Sequence, residues 1–330
     1  MAAEKLDVVA IGNAIVDVLA RTEDAFLSEQ GLIKGSMALI DAERAQTLYG
    51  LIGPAVECSG GSAGNTVAGL ASLGSKSAYI GKVADDQLGG VFAHDLRASG
   101  VHYQTEPLSE GTPTARSFIL VTPDGQRTMS TYLGACVALG PDDVDPDLIG
   151  RAKVIYLEGY LWDPPAAKEA FLKAAKIAHQ VGGKVALSLS DPFCVDRHRA
   201  EFLKLVEHHV DILFANEQEI LSLYETKTFE DALAALRGHC ETAALTRSDK
   251  GSVVLHQGKT HTISAQPIAK LVDTTGAGDQ YAAGFLHGYT HGRAPEVWGR
   301  MGSIAAAEVI QHFGARPETA LDKLMAAELA

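Results

Sequence analysis

The pattern of apolar and polar positions changes character near residue 150. Beyond it, short strand-like runs recur at 153–157, 184–189, 211–214, 242–245 and 252–255. Stretches with helical spacing stand between most of them, near 165–180, 197–209, 217–225 and 229–238. This alternation predicts a mostly parallel sheet sandwiched between helices, an α/β/α architecture. Asp7-Val8-Val9-Ala10-Ile11-Gly12 is a continuous apolar run with the look of a strand buried on both faces. Helical stretches at 295–312 and 317–328 close the chain, separated by Gly314-Ala315-Arg316-Pro317.

The first half is less regular. Asn13-Ala14-Ile15-Val16-Asp17-Val18 follows the first strand without a helix start, and Asp17 falls between apolar neighbours. A carboxylate so placed is either solvated on an edge strand or grips hydroxyl groups. Residues 22–52 read as short strands and turns. Small residues from Ser59 to Gly64, followed by apolar spacing at 63, 67, 70, 71 and 73, predict a loop running into a tightly packed helix. A strand over 76–83 and a helix over 86–98 that stops at Gly100 come next. Runs at 114–121 and 127–133 flank Pro123-Asp124-Gly125 and predict a hairpin. With a strand near 15–19 they suggest a small β lid, discontinuous in sequence, from about 14–50 and 110–135 within a single domain of 1–330.

Bulk composition narrows the class. The 330 residues are 46% hydrophobic and 21% charged with 33 glycines, enough for a large soluble core. The net charge of −13, from 28 basic and 41 acidic side chains, argues against nucleic acid or an anionic membrane as a main partner. Cys58, Cys136, Cys194 and Cys240 show no paired spacing, which fits a reducing compartment rather than a disulfide or zinc framework. No basic and apolar leader opens the chain and no run approaches a membrane span, so a cytoplasmic protein is expected.

Candidate chemistry centres on Asp273-Thr274-Thr275-Gly276-Ala277-Gly278-Asp279, which precedes the Ala/Gly-rich helical run Gln280-Tyr281-Ala282-Ala283-Gly284-Phe285. Backbone N–H groups at a helix start gather partial positive charge and suit phosphate. An acid in the same turn is placed to accept a proton beside a phosphoryl group in transfer. The plainer alternative is a strand-to-helix turn whose Asp serves only the helix dipole. It is no dinucleotide fingerprint, because Tyr281 stands where the third glycine is needed. Gly69 and Gly74 have P-loop spacing, yet Ser75 replaces the lysine. Sheets of this class bind ligands beyond the carboxyl ends of their strands. Those ends carry Gly12 and Asn13, Glu158 and Gly159, Ser190 and Asp191, Asn216 and Glu219, then Thr246 and Arg247. Asn216-Glu217-Gln218-Glu219 could hold hydrated Mg²⁺ or simply serve a helix dipole. His287 and His291 lack a third metal ligand and read as helix-surface histidines.

Three of these features resemble, in order and spacing, the signatures of the ribokinase-like (PfkB) carbohydrate and nucleoside kinases. They are Gly60-Gly61-Ser62-Ala63-Gly64-Asn65, Asn216-Glu217-Gln218-Glu219 and Thr274-Thr275-Gly276-Ala277-Gly278-Asp279, and the similarity spans essentially the whole chain. Gly12-Asn13-Ala14-Ile15-Val16-Asp17, Lys34-Gly35-Ser36-Met37 and Leu187-Ser188-Leu189-Ser190-Asp191-Pro192-Phe193 resemble the branch that phosphorylates adenosine, although Asp191 replaces a smaller residue. Thr128-Met129-Ser130-Thr131-Tyr132 is also less apolar than the family's lid usually is.

The resemblance implies a role for each matching residue. Asp279 takes the proton of the ribose 5′-hydroxyl, and Gly276, Ala277 and Gly278 bind developing charge. Asp17, Asn13, Gly61, Ser62 and Asn65 hold the acceptor, with Ile15, Met37, Leu133 and Phe193 candidates for an apolar slot around its base. Thr246, Arg247, Gly251, Asn216 and Arg127 lie along the ATP phosphates, and Asn216 and Glu219 order Mg²⁺ through water. Asp273 and Thr275 are candidates for a monovalent cation. The expected reaction is ATP-dependent phosphorylation of adenosine by a monomer or homodimer. The alternatives are a sugar kinase acting on ribose, fructose or a keto acid such as 2-keto-3-deoxygluconate, and a catalytically silent sensor on the same fold.

Overall fold

The structure is a computed structural model and describes residues 4–329. Its strands are β1 (Leu6–Ile11), β2 (Ile15–Arg21), β3 (Met37–Leu39), β4 (Ala55–Ser59), β5 (Ser77–Ile80), β6 (His102–Tyr103) and β7 (Ala115–Val121). They continue with β8 (Arg127–Tyr132), β9 (Ala152–Glu158), β10 (Lys184–Ser188), β11 (Ile212–Asn216), β12 (Thr242–Thr246), β13 (Ser252–His256) and β14 (Lys259–Ile263).

The main sheet has nine strands in the order β14-β13-β12-β11-β10-β9-β1-β5-β6. Every pairing from β6 to β12 is parallel. The alternation of β1 shows why it lies in the middle. Val9 and Ile11 enter the core under the helices Pro165–Gln180, Pro192–His208, Glu217–Tyr224 and Phe229–Leu236. Val8 and Ala10 enter the opposite core, under Ser62–Ser72, Ala277–Thr290 and Pro295–Val309. A strand apolar on both faces is therefore covered on both faces.

β13 departs from the parallel expectation for the 252–255 run. It pairs antiparallel with β12, and β14 antiparallel with β13. The connections are tight turns, too short for the helical crossover that parallel pairing requires. The sequence of β14, Lys259-Thr260-His261-Thr262-Ile263, is polar because it is the sheet's edge, and so it carried no strand signal.

A second sheet runs β3-β8-β7-β2-β4. β7 and β8 form the antiparallel hairpin expected from the turn residues at 123–125. β2 pairs parallel with β7 and antiparallel with β4, a strand that lies outside the 14–50 segment. Over 22–52 the expected short strands come down to β3 alone, and two unexpected helices, Asp24–Glu29 and Ala42–Leu51, flank it. The second starts at Asp41, whose side chain accepts from Arg44 N at 2.8 Å. Its Ala45 and Leu48 pack on Val18 and Phe118, covering one face of this sheet.

His287 is not a plain surface residue. It is partly buried, meets Ser75 Oγ at 2.8 Å through Nδ1 and stacks on His291. Burial and the His291 charge push its pKa down to about 4. Among the described residues, no helix is long and apolar enough to cross a membrane.

Candidate active site

The chain's chemical groups gather where the carboxyl ends of the parallel strands meet the second sheet. Asp279 lies in the first turn of the helix Ala277–Thr290. Its Oδ1 accepts from Ser62 Oγ at 2.6 Å and its Oδ2 from Asn65 Nδ2 at 3.0 Å, both on the helix Ser62–Ser72. Burial raises its pKa to about 6, against the lowering effect of these two donors and of Arg316. The carboxylate is thus poised near neutrality while its geometry is fixed by two hydrogen bonds.

Two glycines make this approach possible. Gly276, the N-cap, has φ 74°, and a Cβ there would lie 2.7 Å from the Ala315 oxygen. Gly61 has φ 79° and caps the helix Ser62–Ser72, where a Cβ would collide with the Asn13 carbonyl oxygen. Of the expected anion donors, Ala277 N already bonds Thr274 O at 3.3 Å. Gly276 and Gly278 N–H groups donate to no acceptor among the described residues.

Asp17 sits on β2, opposite Cys58 of β4 and Ser117 of β7. It is buried, and no hydrogen-bond donor reaches its carboxylate among the described residues. Burial pushes its pKa up to about 7; Arg316 and Arg127 pull it down, and Asp279 pushes it further up. Asn13 is also buried, but its Nδ2 is given to Glu158 Oε1 at 2.9 Å. Glu158 Oε2 accepts from Ala63 N at 2.8 Å, so this buried acid ties the end of β1 to the helix Ser62–Ser72.

A second group forms at the ends of β11 and β12, where Asn216 and Thr246 are register partners. Asn216 and Glu219 make a reciprocal capping box: Glu219 N donates to Asn216 Oδ1 and Asn216 N to Glu219 Oε2, each at 2.9 Å. Burial raises the Glu219 pKa to about 7. Arg247 pairs with Glu217 at 2.7 Å and lies 4.0 Å over the Phe229 ring. Gly251, at φ 83°, closes the turn into β13.

Arg127 ties the second sheet to the loop that leads into the helix Ala277–Thr290. Its Nε pairs with Asp273 Oδ1 at 2.7 Å, Nη2 donates to Thr274 Oγ1 at 3.1 Å, and Nη1 donates to Thr275 Oγ1. Asp273 also accepts from Thr275 N at 2.8 Å and Gly314 N at 3.1 Å. The cation in contact with Asp273 in this structure is therefore Arg127, at a place that was a candidate for a monovalent ion.

The apolar candidates are dispersed. Ile15 begins β2, Leu133 follows β8, and Met37 begins the edge strand β3 with 42% of its surface exposed. Phe193 stands apart, in the first turn of Pro192–His208 and 74% exposed. The surface hollows lined by Tyr49, Ile52, Gly53, Ala55 and Glu57, or by Leu172, Lys176, His179, Gln180 and His209, do not coincide with the polar cluster.

Residues 35–321 match the family described as pfkB family carbohydrate kinase. The chain belongs to the pfkB family. It is similar to the solved adenosine kinase of Sinorhizobium meliloti, 57% identical over 99% of this chain and 100% of that one, with a TM-score of 0.92. It is also similar to a probable sugar kinase protein from Rhizobium etli CFN 42, 55% identical with 98% of each chain covered and a TM-score of 0.93. The adenosine kinase of Saccharomyces cerevisiae is 26% identical, covering 93% of this chain and 95% of the yeast protein. A pfkB kinase of this kind is an ATP-dependent phosphotransferase with a nucleoside or sugar acceptor, and the family works with a divalent cation. Asn216 and Glu219 would meet such an ion through water, because the capping box already engages the carboxylate.

Three contributors escaped the sequence reading. In the sequence Glu158 is only a strand end, Gln280 part of a helical run and Arg316 part of a spacer. Only a lone charge between Ala315 and Pro317 marked Arg316. Its Nε donates to Asn65 Oδ1 at 3.3 Å, and Gln280 Nε2 donates to both Asn65 O and Ala315 O at 3.0 Å.

Proposed function

We propose that this pfkB kinase transfers the γ-phosphoryl group of ATP to the 5′-hydroxyl of adenosine, giving AMP and ADP. The observation that carries this reading is the pairing of two enclosed carboxylates with different surroundings. Asp279 is held by two donors beside an anion-binding turn, whereas Asp17 is buried with its acceptor capacity unspent. A carboxylate of the second kind suits two vicinal ribose hydroxyls, and one of the first kind suits proton abstraction.

In this reading Asp17 orients the ribose, with Gly61, Asn65 and Asn13 as the further groups proposed to meet the acceptor. Asp279 accepts the 5′-hydroxyl proton as that oxygen attacks. The free N–H groups of Gly276 and Gly278 stabilise the charge that builds on the transferring group. Asn216 and Glu219 would hold Mg²⁺ through water, and the ion, when bound, offsets phosphate charge. Thr246, Arg247 and Gly251 flank the nucleotide. Such an enzyme would serve purine salvage in the cytoplasm.

The similarity to the Sinorhizobium meliloti adenosine kinase supports a nucleoside acceptor, and apolar Ile15 and Met37 on Asp17's sheet, with Leu133 just after β8, are consistent with one. The second reading, a sugar acceptor, draws on the Rhizobium etli relative. An ADP-release assay over adenosine, inosine, guanosine, ribose and fructose separates them: adenosine should give the highest kcat/KM. A sugar that outperforms every nucleoside overturns the proposal. Asp17→Ala should raise the acceptor KM and leave that of ATP unchanged, and an equal loss of both removes its ribose role.

A further inference from the structure

Arg316 is a cation without an assigned partner in this mechanism. Its Nε donates to Asn65 Oδ1 at 3.3 Å, which leaves Asn65 Nδ2 to donate to Asp279 Oδ2 at 3.0 Å. Nη1 lies 3.9 Å from Asp95 Oδ2, while Nη2 is buried and donates to nothing among the described residues. The loop that delivers this guanidinium is tied down on every side. Gly314 N donates to Asp273 Oδ2, and Ala315 O accepts from Gln280 Nε2. Glu308 Oε1 accepts from Glu318 N at 3.1 Å and Thr319 N at 2.7 Å, and Leu321 N donates to Ser72 Oγ at 3.0 Å. A partly buried guanidinium with a buried, unpaired Nη2 is unfavourable on its own, so four separate anchors on its loop imply that its position matters.

An asparagine amide is ambiguous. Either end can face an acid, and only the NH₂ end helps a carboxylate. With Arg316 donating to the oxygen, only the NH₂ end is left for Asp279. We propose that Arg316 is a positioning residue for phosphoryl transfer, which locks the Asn65 amide toward Asp279 and supplies the nearby positive charge that keeps this carboxylate ionised as the base. The inference rests on the role proposed for Asp279.

The charges around Asp279 make the sign definite. Asp17 of β2 and Glu158 of β9 are acids, Tyr156 and Tyr160 are neutral phenols, and Arg127 of β8 is committed to Asp273. Arg316 is the cation that acts on Asp279, while its own pKa is lowered by burial. Removing it leaves acids facing the base.

The test is the pH profile of kcat/KM with the acceptor preferred by the wild type. Arg316→Met should move the acid limb upward by about half to one pH unit. That shift by itself should cut activity about two- to fivefold near pH 6 and hardly at all at pH 8.5. Arg316→Lys keeps the charge but not the planar fork, so its limb should stay near wild type while kcat falls. Arg316→Gln, neutral yet able to hydrogen-bond, repeats the Met test if the Met variant folds poorly. An acid limb unmoved in both neutral variants, with Asp279→Asn still inactive, overturns the role of Arg316 alone. Full turnover in Asp279→Asn overturns the reading beneath it.

Discussion

Replacing Asp279 with asparagine should cripple the enzyme and stabilise it at once. The side chain keeps its shape. The new amide oxygen can accept from Asn65 Nδ2, and the new NH₂ can donate to Ser62 Oγ, a hydroxyl able to accept as readily as donate. What disappears is a charge whose burial raises the carboxyl pKa from 3.8 to about 6. For an acid, a raised folded-state pKa means that ionisation favours unfolding. The penalty is absent below the unfolded value, grows as pH rises and is complete above the folded value. At 1.36 kcal/mol per pH unit it reaches about 3 kcal/mol at pH 8 and about half that at pH 5. An unfolding entropy of roughly 2.1 cal/mol/K per residue turns 3 kcal/mol into a Tm increase of about 4 °C for a chain of 330 residues. Loss of a general base costs about 10²–10⁴ in turnover. Calorimetry at pH 5 and pH 8 and a coupled ADP assay read both effects on one preparation. Near-normal turnover refutes the base role, and a Tm that falls equally at both pH values refutes the buried-charge argument.

Two further outcomes follow from local geometry. Gly61→Ala forces a side chain into a left-handed conformation against the Asn13 carbonyl, so thermal unfolding should show a loss of at least about 2 kcal/mol together with weaker acceptor binding. Glu219→Gln retains most of the capping box but removes the carboxylate's charge. Titration of activity with Mg²⁺ should show a several-fold higher half-saturation concentration, with the circular dichroism spectrum unchanged.

Much of the main layer was legible because burial on both faces leaves an unmistakable mark. The apolar run at β1 and the strand–helix alternation after residue 150 follow from the need to cover a parallel sheet on each side. The hairpin of β7 and β8 was legible for a different reason, since Pro123-Asp124-Gly125 has the residues that a turn demands. The edges were not. β14 is polar, β4 buries only Ser59, and the helix Ala42–Leu51 buries only Ala45 and Leu48, so each carries too little apolar pattern to declare itself.

The same division runs through the site. By itself the sequence determined that a glycine-bracketed turn with an acid begins the helix Ala277–Thr290, because backbone conformation near glycine and helix polarity are local properties. It also put Asn216 and Glu219 at a helix start, where they read as Mg²⁺ or helix-dipole groups; that they cap the helix reciprocally came from the structure. Only the tertiary structure decided which distant groups meet. Asn65 and Ser62 stand more than 200 residues from Asp279, and Arg316 is 251 residues from Asn65. It also committed Arg127 to Asp273, Arg247 to Glu217 and Asn13 to Glu158, each of which had read as a group free to meet ligand. Charge pairing between residues far apart in the chain depends on how sheets and loops close over one another, and no local pattern records it.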